Sequence, residues 1–87
     1  MALADDFSLA QARVKKLSRT PASDELLELY ALYKQGTVGE ASGERPPLLD
    51  FKGRAKFDAW TARRGLTKDA AMTAYIALVS KLTTKYG

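Results

Sequence analysis

Tyr30, Tyr33 and Lys34 are the residues of this chain best equipped for chemistry. They lie three and four residues apart near the end of a helical pattern, and the loop segment Gln35-Gly36-Thr37-Val38-Gly39 follows at once. Residues so spaced share a helix face. Tyrosine offers an apolar ring with a polar tip, and a neighbouring lysine adds a cation for anionic oxygens. On a helical wheel with ~100° per residue, Lys34 falls about 40° to one side of Tyr30 and Tyr33 about 60° to the other. Leu26 and Leu27 occupy the same arc one turn earlier. The face therefore grades from leucine through tyrosine to lysine. Such a face suits a ligand that is flat, aromatic and phosphorylated at one end, and it equally suits an ordinary core with a snorkelling lysine. The residues alone leave both readings open.

A second group is Lys52 and Lys56, four apart and so on one helix face. Two stacked cations can grip a phosphate, but exposed lysine pairs are also common on plain solvated surfaces. Tyr75 sits mid-way along an apolar stripe and, by itself, reads as core. Trp60 with Phe57 does the same. Lys15, at the end of the first helical pattern, reads as a cation matched to the helix dipole. Glu44-Arg45-Pro46-Pro47 can pin a loop through hydrogen bonds and a restricted backbone, and its chemistry assigns it no ligand.

These side chains need elements to position them, and four helical segments are legible, with no convincing strand. The first runs from about Asp5 to Leu17, with Phe7, Ala10, Val14 and Leu17 as its apolar stripe. Pro21 breaks it, and Ser23 is the expected N-cap of a second helix that runs to about Tyr33. Residues 36–50 hold three glycines and two prolines and form a long loop. Loops of that length are often functional, and a crossover between distant helix ends explains one equally well. Asp50 caps a third helix, about Phe51 to Arg63, whose apolar members are Phe51, Ala55, Phe57, Ala59 and Trp60; Gly65 closes it. Thr67 caps the fourth, with Ala71, Tyr75, Leu78 and Leu82 as its stripe, widened by Met72, Ile76 and Val79. The short connections predict antiparallel hairpins of helices one with two and three with four. The long middle connection lets helices two and three run the same way. The expected fold is all-α, a four-helix bundle with a long crossover loop between helices 2 and 3, up-down-down-up.

Composition bounds what such a bundle can do. The chain has 87 residues, so a single domain over 1–87 is expected. It contains no cysteine and no histidine. Disulfides, thiolate metal sites, His-dependent triads and typical zinc sites are thereby excluded, and no pair of carboxylates on an apolar face suggests an enzyme. The expectation is a non-catalytic protein without cofactor or metal. The net charge of +4 permits a polyanionic partner, although a solvated basic surface is the plainer reading of so modest an excess. No apolar run approaches the ~20 residues that span a bilayer, and Met1-Ala-Leu-Ala-Asp-Asp6 lacks the basic and apolar regions of a signal peptide. A cytoplasmic protein without integral membrane association is expected.

Five blocks, taken in order and spacing, carry a resemblance over Phe7 to Tyr86: Tyr30-Ala-Leu-Tyr-Lys-Gln-Gly-Thr-Val-Gly39, Glu44-Arg45-Pro46, Leu49-Asp-Phe-Lys-Gly53, Ala55-Lys-Phe-Asp-Ala-Trp60 and Ala70-Ala-Met-Thr-Ala-Tyr-Ile76. The chain resembles the acyl-CoA-binding protein family. The resemblance implies a small monomeric bundle that binds long-chain fatty acyl-CoA thioesters, carries and buffers them inside the cell, and does no chemistry on them. It implies that Tyr30 and Lys34 contact the nucleotide, including its 3′-phosphate, and that Lys56 shares that phosphate. Tyr75 would lie near the adenine, Lys15 and Lys52 would line the site, and Tyr33 would be another aromatic of the signature. Leu26 and Leu27 are candidate acyl-chain contacts. The chain departs from the family at Phe57, where many members carry tryptophan, at Ser18 and Thr20, where lysine is frequent, and at Glu28, where an apolar residue is frequent. The competing reading is a small basic helical module that binds nucleic acid, motivated by the charge and by the Lys52/Lys56 face.

Overall fold

Each helix starts and stops where local chemistry dictates. In the computed structural model, which describes residues 2–87, α1 spans Leu3–Val14, α2 Ser23–Thr37, α3 Phe51–Thr61 and α4 Lys68–Tyr86. Asp50 accepts a hydrogen bond from the Gly53 N–H at 3.0 Å, and Thr67 Oγ1 accepts from the Ala70 N–H at 3.0 Å, so both expected caps are in place. At α2 the expectation is corrected by one residue. Ala22 is the N-cap and Ser23 is already helical. Ala22 has no side-chain oxygen, and the cap works in one direction only, with the Glu25 carboxylate accepting from the Ala22 N–H at 2.8 Å.

The larger correction is that α2 runs on through Gly36 and Thr37 instead of ending near Tyr33. Gly36 is buried, and a Cβ there would lie 3.2 Å from Met72 Cγ and 3.5 Å from Phe7 Cζ. The glycine is present for close approach of α2 to α4, not to end a helix. The turn is made three residues later by Gly39 at φ +99°. Likewise α1 begins earlier and ends earlier than expected, and α3 stops at Thr61, short of Arg63.

Phe7 and Ala10 of α1, Leu29 and Leu32 of α2, and Tyr75, Val79 and Leu82 of α4 form the core. Backbone packing joins α1 to α4, α4 to α2, and α2 to α3. Phe7 meets Tyr75 and Ser18 meets Tyr86, so α1 and α4 run the same way. Gly36 lies by Met72 and Glu25 by Tyr86, so α2 opposes them. Trp60 reaches Gly39 while Phe51 and Lys52 sit beside Ser23 and Leu26, so α3 follows α2. The order is up-down-down-up, as expected. The packing of sequence neighbours is not, since neither α1 with α2 nor α3 with α4 brings its backbones together among the described residues, and α1 reaches α2 through the side chain of Phe7 on Tyr33. The longest helix, α4, at 19 residues and about 28 Å, takes the place between α1 and α2. A row of helices results, with extents of 37 × 28 × 15 Å.

The long loop is tied down. Arg45 donates to both oxygens of Asp58, at 3.0 and 2.6 Å, a bidentate pair that pulls the Asp58 carboxyl below its usual range. Trp60 Nε1 donates to the Gly39 carbonyl at 2.8 Å, and Glu40 accepts from the Gly65 N–H at 2.6 Å. Gln35, fully buried at the end of α2, donates to the Leu66 carbonyl at 2.8 Å.

Candidate functional site

The α2–α3 pair is open along one side. There a groove of about 450 Å³ is lined by Ser23, Leu26, Leu27 and Tyr30 of α2 and by Phe51, Lys52, Ala55 and Lys56 of α3. The parallel run of the two helices sets each α3 side chain against a defined turn of α2. Lys56 Nζ stands 5.3 Å from the centre of the Tyr30 ring, within cation–π range. One turn further, Lys34 Nζ stands 5.1 Å from the centre of the Trp60 ring. The groove is thus apolar along its floor and cationic on its α3 rim and at the C-terminal end of α2.

The structure brings Leu26, Leu27, Tyr30, Lys52 and Lys56 onto this one groove. Lys15 lines a neighbouring depression of about 300 Å³ with Ser18, Arg19, Thr20 and Pro21, and Leu26 is common to both. Tyr33 and Lys34 diverge, as their ~100° separation on the wheel requires. Lys34 turns to α3, and Tyr33 turns to α1 and α4, where its ring lies 6.1 Å from Phe7 and 6.5 Å from Tyr75. Tyr75 is 5% exposed and meets Phe7 edge-on at 5.0 Å; burial, and then the nearby Tyr33, pushes its hydroxyl pKa up. Tyr33 remains 39% exposed. Neither tyrosine is part of the groove wall.

Phe51 was expected among the apolar members of the third helix. It is instead 73% exposed at the groove's edge. Its position directly after the Asp50 cap and beside Lys52 is the signal that could have set it apart from Trp60, which is buried. Glu28 faces the opposite side of α2 and pairs with Arg63 at 3.1 Å. Phe57 is half-buried. Ser18 donates to the Tyr86 carbonyl, tying the α1–α2 connector to the end of α4. Glu25 lies under the same end, and the Tyr86 hydroxyl, then Lys85 and the Ala22 N–H, hold its carboxyl pKa down at about 2.

These features define a class: a small all-α binding domain whose site is an apolar groove rimmed by lysines, with an aromatic ring at its centre. The family model described as Acyl CoA binding protein matches residues 4–79. Acyl-CoA-binding protein homolog 1 of Caenorhabditis elegans is 53% identical over 81 residues, covering 93% of this chain and 94% of the relative. The acyl-CoA-binding protein homolog of Manduca sexta is 48% identical over 88 residues, covering 100% of this chain and 98% of the relative. The crystal structure of Oryza sativa Acyl-CoA-Binding Protein 2 superposes with a TM-score of 0.92 at 38% identity, covering 97% of this chain and 93% of that one. The chain belongs to the acyl-CoA-binding protein family.

Proposed function

We propose that this protein binds long-chain fatty acyl-CoA thioesters as a single monomeric domain over residues 1–87, Met1 lying outside the described residues, and serves as a cytoplasmic carrier and buffer for them. Family membership supports the ligand class, and the groove's apolar floor and lysine rim are the observation that supports where the ligand lies. Leu26 and Leu27 offer an apolar floor to the acyl chain. Tyr30 offers a ring to the nucleotide, Lys34 and Lys56 offer ammonium donors to its phosphate oxygens, and Lys52 lines the groove beside them. Lys15 adds a cation at the adjoining depression. Tyr33 and Tyr75 complete an aromatic cluster behind the Tyr30–Lys34 turn, and the exposed part of Tyr33 is the portion open to ligand. No step of bond-making is assigned to any of these groups, since the family is one of binding proteins and the chain offers neither histidine nor cysteine.

The test is calorimetric titration with palmitoyl-CoA and with free CoA. Tight binding of the ester and much weaker binding of CoA is expected; equal binding of both, or binding of neither, refutes the reading. The nucleic-acid alternative gains nothing from the comparisons, and Lys56, part of the face that motivated it, packs over Tyr30 at the groove.

A further inference from the structure

At one end of the groove the chain presents large apolar side chains to solvent. Leu48 is 70% exposed, Leu49 82% and Phe51 73%. They follow one another at the end of the long loop and the start of α3, and Leu26, 43% exposed, continues the patch onto α2 through the groove that it shares with Phe51. Isolated exposed leucines are ordinary, but a contiguous cluster of this kind marks an interaction surface. The segment is held in place: Asp50 N–H donates to the Pro47 carbonyl at 2.9 Å, the Asp50 carboxylate caps α3, and Arg54 donates to the Pro46 carbonyl at 3.4 Å.

The surroundings select the partner. The parallel run of α1 and α4 puts the end of α1 at this same end of the molecule. Lys15 and Arg19 line the depression that shares Leu26 with the groove, and Lys52 stands directly after Phe51. Two exposed carboxylates share this end: Asp50, which is engaged by the Gly53 N–H, and Asp24 in the first turn of α2, which lies with Glu28 and Arg63 on the other side of that helix. Apolar side chains at a tip, with Lys52 next to them and Lys15 and Arg19 on the adjoining depression, match the interfacial region of an anionic bilayer, where the apolar groups enter the acyl boundary and the cations meet headgroups. We propose that Leu48, Leu49 and Phe51 form a wedge that docks this protein, reversibly and peripherally, on anionic phospholipid membranes with the mouth of the groove facing the lipid. No described helix is long and apolar enough to cross a membrane, so the association is superficial. The use of the surface, to take up or deliver an amphiphilic ligand, rests on the function proposed above; the docking itself does not.

The experiment uses the full chain without ligand. Cosedimentation with phosphatidylcholine vesicles containing phosphatidylserine is compared for the wild type and the Leu48→Ser/Leu49→Ser double variant, neither residue being part of the groove wall. The double variant is expected to lose at least ~10-fold in partitioning, and pure phosphatidylcholine to bind the wild type about as weakly. Because the chain has no cysteine, Leu49→Cys carrying an environment-sensitive fluorophore reports insertion directly, and the same label at the exposed Ser80 of α4 should stay unchanged. Palmitoyl-CoA titration of the double variant should match the wild type. Vesicle binding that ignores the substitutions, equal shifts of both labels, or absence of wild-type binding overturns the proposal. So does a parallel loss of ligand affinity, which would place the leucines in the ligand site. Self-association abolished by the double substitution would make the patch a protein–protein face and also overturn it. Failure of the wild type to bind palmitoyl-CoA in solution refutes the proposed function alone.

Discussion

The substitution Lys56→Met isolates what a single ammonium contributes to the groove. Lys56 is exposed, and its Nζ lies 5.3 Å from the Tyr30 ring centre without a carboxylate partner among the salt bridges of the described residues. Methionine keeps an apolar stem over that ring. The stability cost is then limited to an exposed cation–π contact, about 0.5–1 kcal/mol. For ligand binding the loss is a charge-assisted hydrogen bond, about 1.5–3 kcal/mol, or ~10- to ~150-fold in Kd. The assay is isothermal titration of wild type and variant with palmitoyl-CoA and with its 3′-dephospho analogue. If Lys56 meets the 3′-phosphate, the substitution weakens the first ligand within that range and changes the second by no more than about threefold, the coupling energy appearing in the double cycle. Raising the salt should shrink the difference. An equal loss with both ligands would refute the assignment of Lys56 to that phosphate, and loss of helical circular dichroism would show the contact with Tyr30 to be structural.

Three further outcomes follow from the same structure. Across a series of saturated acyl-CoA esters, affinity should rise by up to ~0.8 kcal/mol per methylene, about fourfold, until the groove is full; a flat series in calorimetry would show that the tail lies outside it. Gly36→Val places new methyl groups against Met72 and Phe7, whose nearest atoms lie 3.2–3.5 Å from a Cβ at that site, and should cost about 1–3 kcal/mol by overpacking; an unchanged or raised Tm would contradict the close approach of α2 and α4. Glu25 has a folded pKa of about 2 against an ordinary 4.5, so it stabilises the fold above about pH 4.5 and that contribution fades as pH falls towards 2; in denaturation at a series of pH values, Glu25→Gln should be less stable near neutrality and should converge on the wild type in acid.

Much of this architecture was legible in the residues. The apolar stripes of α1 and α4 located the core, and Asp50 and Thr67 marked helix starts by a chemistry that acts within three residues. The grade from Leu26 to Lys34 was correctly placed on one helix, and the resemblance joined it to Lys56. What escaped depends on distant contacts. Gly36 looks like a terminator because a glycine needed for close packing has the same letter as one needed for a turn. The short connectors suggested packed hairpins because loop length reports only chain direction, not which helix fills the space between. Phe51 and Trp60 have similar apolar character on one helix, yet one is buried under a hydrogen bond to Gly39 and the other faces solvent. Glu40 is an ordinary loop acid in sequence and becomes a tie only when Gly65 arrives from the far end of α3.

The latch at the end of α4 has a consequence for how the chain comes to be folded. Ser18 and Glu25 bond to Tyr86 across 68 and 61 residues, and most of the protein lies between the partners. A chain stopped before residue 85 lacks both partners of this latch, Lys85 and Tyr86. Such a truncated chain is expected to be cleaved by protease far more readily than the full chain, and equal resistance of the two would contradict a closing role for the last turn of α4.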